Sequence, residues 1–230
     1  MKIKHTVCSL LLLSVTGMPS FAQETAKPAK EPTAEEKAWM AYATPGKAHE
    51  MMAKSAGMWS EEVTMWMAPG TEPVKSNSNC NNRMIMGGRY LEGRSRGTFN
   101  GMPFEGSSIT AYDNAKKKYV STWIDNMGTG IMVSEGTYNE ETKTLEMSGS
   151  CMDPGTGKDM KTRQTIKFID DNNQLMTMYM TSNGSEFKSM EIKLTRRVGS
   201  TPPPPPSTDG KPVRPAGKTP DVPPAPAEKK

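Results

Sequence analysis

Methionine, cysteine and one aspartate are the side chains in this 230-residue chain that could do chemistry. Met176, Met178 and Met180 alternate along one short segment, and thioether sulfurs favour Cu(I). Asp125 stands two residues from Trp123, on the same face of an extended segment, so the indole could shift its acidity toward acid or base work. Cys80 and Cys151 could form a disulfide if the chain is exported to an oxidising compartment. His49 is the one histidine beyond the first 22 residues, and it is expected at the surface or at the mouth of the domain.

Each reading has a plainer rival. Methionine fills irregular apolar space. An aspartate at a strand end commonly bonds the amides of its own turn, here Asp125-Asn126-Met127-Gly128. Glu61 and Glu62 fall on opposite faces of a strand and cannot act as a pair. No H-x-x-x-H, C-x-x-C or D-x-D-x-D-G spacing occurs, so no resident metal or cofactor is expected. The G-x-S-x-G spacing of Gly93-Arg94-Ser95-Arg96-Gly97 lies inside an expected strand, not in a strand–turn–helix setting, which leaves no nucleophile in a recognisable setting.

The elements that hold these residues are marked by periodicity. Residues 34–57 read as helix, with Thr33 or Thr44 as caps, Pro45 suited to a first helical position and Gly57 as the stop. Beyond Gly57 the period becomes two. Strands are expected near 58–67, 75–86, 89–99, 104–113, 118–126, 131–139, 144–151, 159–170, 174–181 and 186–196. Turn residues such as Gly87-Gly88, Asn100-Gly101 and Asn183-Gly184 separate them. Short connections imply antiparallel neighbours, and closure removes exposed edges. The fold class is therefore all-β: an up-and-down antiparallel barrel of about ten strands over 58–198, preceded by a short helical segment.

The ends read differently. Lys2 and Lys4, the apolar run 6–15 and Ser20-Phe21-Ala22 form a signal peptide with cleavage after Ala22. A periplasmic or secreted location follows, with no transmembrane span, because the run is too short to cross a bilayer. Residues 23–33 form a linker. Residues 199–230 hold 11 of the 19 prolines and no Leu, Ile, Met or aromatic residue, which predicts a disordered tail that could meet an envelope partner. The net charge of +4 falls to +2 after cleavage, so nucleic acid is not an expected partner. After position 22 there are 18 Met against 4 Leu.

Gly57-Met58-Trp59 at the head of the first strand, with Arg196 at the end of the last, resembles the calycin superfamily. That resemblance implies a guanidinium over the Trp59 ring closing the barrel bottom. The haem-binding histidine of some calycins has no counterpart in any expected strand. The runs 65–70, 84–91, 101–106 and Tyr119-Val120-Ser121-Thr122-Trp123-Ile124-Asp125-Asn126-Met127-Gly128-Thr129-Gly130 resemble a bacterial family, domain of unknown function 1579, over about 45–196. The family implies no catalytic residue. Cys80 and Cys151 depart from its pattern.

Together these features point to a barrel that holds a small apolar or amphipathic molecule. Its lining would include Trp59, Met65, Met67, Trp123, Asp125, Met176, Met178 and Met180. A Cu(I) carrier, an enzyme using Asp125 and a structural envelope protein are the alternatives.

Overall fold

The computed structural model describes residues 31–182 and 184–199. The expected signal peptide, and nearly all of the expected linker and tail, lie outside these residues. Two helices come first, α1 (Ala34–Ala43) and α2 (Lys47–Ala53). Ten strands follow: β1 (Gly57–Met65), β2 (Val74–Ile85), β3 (Tyr90–Phe99), β4 (Met102–Asp113), β5 (Lys118–Asp125), β6 (Met132–Asn139), β7 (Thr144–Asp153), β8 (Lys158–Phe168), β9 (Asn173–Ser182) and β10 (Ser185–Arg196).

Every strand pairs antiparallel with its sequence neighbours, and β1 pairs with β10 to close the ring. The expected ten-stranded up-and-down barrel is thus the observed one. Its strand limits fall within two residues of those expected. Among the described residues no helix is long and apolar enough to cross a membrane.

The helical segment departs from expectation because it breaks in two. Thr33 caps α1: its hydroxyl accepts from the Glu36 N–H at 3.2 Å, and the Glu36 carboxylate accepts from the Thr33 N–H at 2.7 Å. Thr44 closes α1 rather than opening α2, and Pro45 lies between them. Gly46 precedes α2, where its N–H donates to His49 Nδ1 at 3.1 Å. Gly57 starts β1 instead of ending a helix. Its φ of +119° turns the chain from α2 into the barrel, a conformation that favours glycine.

Register decides what faces inward, because Cα partners across an antiparallel pair share a face. Trp59 is fully buried, which identifies the inner row of β1. One inner row runs Met65, Met190, Met178, Gln164, Met147, Gly136, Tyr119 and Tyr112 through successive strand pairs. Gly136 is required in that row. A Cβ there would lie 1.8 Å from the Glu146 carbonyl oxygen, so only a bare backbone permits the approach.

The compact core sits at one end of the barrel. Met51 and Met52 of α2 pack there with Tyr119, Leu145 and Met147, flanked by Tyr138, Ile166 and Phe168. Each such side chain contributes about 1.5–3 kcal/mol when fully buried. α2 is therefore a plug. Among the described residues no helix lies across the other end, which the β1–β2, β3–β4, β5–β6, β7–β8 and β9–β10 connections surround.

Candidate functional site

The floor of the lumen is fastened by side chains that reach the end of α2. Arg196 donates to three carbonyls: Ala56 and Lys54 at 2.6 Å each, and Asp171 at 2.9 Å. Its guanidinium carbon lies 4.1 Å from the centre of the Trp59 ring. The Trp59 indole N–H donates to the Ser55 carbonyl at 2.9 Å, and the Asn82 amide donates to the same oxygen at 3.1 Å. Gln174 donates to the Ser55 hydroxyl at 3.1 Å. The last carbonyls of a helix have no partner of their own, and here barrel side chains supply them.

Above the floor, the β1–β3 wall holds a buried carboxyl. Glu61 is only 6 % exposed. The Ser78 hydroxyl donates to one oxygen at 2.5 Å and the Ser95 hydroxyl to the other at 3.3 Å. Burial holds this carboxyl above its ordinary value, against the pull of the two hydroxyls. Among the described residues no Lys, Arg or His lies within ion-pair distance of it. Glu61 was legible only as half of an unpaired Glu-Glu. The signal that could have found it is a charge on the face that carries Trp59 and Val63.

Cys80, on the same wall, donates to the Asn82 side-chain oxygen at 3.0 Å. Burial, and then the charge of Glu61, push its thiol up to about 12. The disulfide considered for Cys80 and Cys151 is not made, and both thiols are free. β2 and β7 lie on opposite sides of the ring, with four strands between them either way. Ten strands about 4.8 Å apart and tilted about 40° give a barrel roughly 20 Å across, far beyond disulfide reach.

The upper lumen is lined by half-buried side chains. Met176, Met178 and Met180 face inward from β9, and Met65 and Met190 continue the row. Thr110, Ser121 and Gln164 give the same space hydroxyl and amide groups. Trp123 lies over Gly106, where a Cβ would meet its ring at 2.4 Å, and stacks on Phe104. Its N–H donates to Asp125 at 2.7 Å, while the other Asp125 oxygen accepts the Met127 amide at 3.0 Å. The plainer reading of Asp125 therefore describes its geometry, since both oxygens are already engaged.

Three residues sit elsewhere than expected. Trp59 has no exposed surface to offer a ligand, because the α2 end and Arg196 cover it. Met67 lies beyond the end of β1 in the β1–β2 connection and is 65 % exposed. His49 is not at the surface or the mouth: it is buried at the plugged end, edge-on to the Tyr112 ring, where burial and the charge of Arg89 lower its pKa.

The open end carries exposed apolar side chains at four successive turns of the rim: Met67 after β1, Met102 at the start of β4, Met127 with Ile131 between β5 and β6, and Met152 near the end of β7. A groove of about 770 Å³ also runs over the outer wall from β5 to β10, past Lys161, Arg163 and Glu186. Arg163 already pairs with Glu186 there. Among the described residues, no group of three His, Cys, Asp or Glu could hold a metal ion.

Comparison with known proteins follows the barrel closely. The family described as "Protein of unknown function (DUF1579)" matches residues 44–196, from the end of α1 through β10. No curated protein matches the chain. A solved structure, Rv2717c from M. tuberculosis, is similar at 14 % identity with a TM-score of 0.48, over 66 % of this chain and 98 % of that one.

Proposed function

We propose, from the premise that the chain belongs to the DUF1579 family, that it is an exported, non-enzymatic module that holds a small apolar or amphipathic molecule in its barrel. The observation that carries this reading is the asymmetry of the lumen. One end is plugged by α2 and tied by Arg196, while the other is lined by half-buried methionines and hydroxyls. Ten strands enclose more space than their own side chains readily fill, since eight already suffice for a small ligand. Flexible methionine side chains suit ligands of several shapes. The export part of the reading rests on Lys2, Lys4, the apolar run 6–15 and Ala22.

Native mass spectrometry with elemental analysis, on protein taken from its own compartment, tests the reading. A retained organic mass supports it. Copper near one equivalent, lost in Met178→Leu, would replace it with a soft-metal carrier. An empty protein that takes up no added amphiphile would end it.

A further inference from the structure

We infer that the molecule held in the lumen carries a cationic nitrogen, received by Glu61, with its apolar part directed toward the mouth. This rests on the lumen reading above and deepens it.

The argument begins with the inner rows. Between the floor, where Arg196 is committed to three carbonyls, and the strand ends at the mouth, Glu61 is the one charged side chain facing inward among the described residues. Two hydroxyls satisfy part of its hydrogen-bonding capacity. An ionised carboxylate accepts at about four lone-pair sites, so it can take further donors. Hydroxyls do not balance its charge. A carboxylate withdrawn from water without a counter-charge is costly, and proteins normally pair it. An uncharged donor from the ligand would complete the hydrogen bonds and leave the charge. An ammonium group would do both.

The surroundings fit the rest of such a molecule. On β1 the inner row above Glu61 continues with Val63 and Met65. Ile192 and Ser76 flank Val63, and Met190 and Val74 flank Met65, with Met176 and Met178 one strand further on. From Glu61 to the end of β1 the strand climbs about 10 Å, allowing for tilt. Beyond it stand Met67 and the other exposed apolar side chains of the mouth. A polar head at depth and an apolar body toward the mouth describe a cationic amphiphile, not a fatty acid, whose carboxylate Glu61 would repel.

Three straight-chain probes of equal length test this by calorimetric titration into the full chain at neutral pH: decylamine, 1-decanol and decanoate. The expected result is that the ammonium binds at least tenfold more tightly than the alcohol, and the carboxylate most weakly. Glu61→Gln, close in shape, should cut the decylamine affinity tenfold or more and leave 1-decanol within twofold. Equal binding of amine and alcohol to the wild-type chain overturns the inference without touching the lumen reading. So does an equal loss of both in Glu61→Gln. Failure of all three probes on the wild-type chain overturns the lumen reading and this inference together. The wild-type preference stands as a test even if the variant fails to fold.

Discussion

Arg196→Met should loosen the plugged end of the barrel more than any other single change on the floor. The side chain makes three hydrogen bonds to carbonyls, two of them at 2.6 Å, and lies 4.1 Å over the Trp59 ring. Bonds to charged groups contribute about 1.5–3 kcal/mol each when fully desolvated. Water can reach part of this site, so about 1 kcal/mol each is the appropriate value. The cation–π contact adds about 1 kcal/mol. The total is about 4 kcal/mol. At about 2–4 °C per kcal/mol for a domain of this size, the melting temperature should fall by about 8–16 °C. Arg196→Lys keeps the charge but lacks the planar fork, so it should recover less than half of that loss. Thermal melting gives the magnitude, and amide hydrogen exchange gives the location. Exchange should rise at Lys54, Ser55 and Ala56 before it rises in β5–β7. Wild-type melting in Arg196→Met, or exchange that rises evenly around the barrel, would refute the idea that Arg196 fastens the plug.

Other consequences concern the wall and the lumen. Glu61→Gln should melt above the wild-type chain at pH 7: burial raises the folded carboxyl above its unfolded value near 4.5, so wild-type stability declines as pH rises through that interval. The difference should vanish below pH 4.5, and a melting series against pH checks the sign. Gly136→Ala drives a Cβ into the Glu146 backbone oxygen and should cost upwards of about 3 kcal/mol or prevent folding, as overpacking against rigid backbone does. Gly106→Ala meets only the movable Trp123 ring, so it should cost less in denaturant melts and shift the indole fluorescence. Without reductant, the unfolded chain should yield both Cys80 and Cys151 to alkylation. In the folded chain at pH 8, half-buried Cys151 should react first, because the Cys80 thiol is buried and pushed up to about 12.

Much of this molecule is written in local pattern. Alternation and turn residues mark all ten strands, and their short connections leave antiparallel closure as the economical topology. Gly57-Met58-Trp59 and Arg196 mark the floor before any coordinate is known. The tertiary structure decides what alternation cannot: depth. A period of two says which side chains face inward but not how far each sits from the plug, since that depends on register around the whole ring. Trp59 and Met65 share a face, yet one is sealed under α2 and the other lines open space. Glu61 meets Ser78 and Ser95 across 17 and 34 residues of chain, a meeting that only strand pairing arranges. Closure likewise sets Cys80 and Cys151 on opposite walls. The sequence by itself determined a methionine-rich barrel; folding determined that its interior is plugged at one end, lined by half-buried methionines toward the other, and charged at one buried point between.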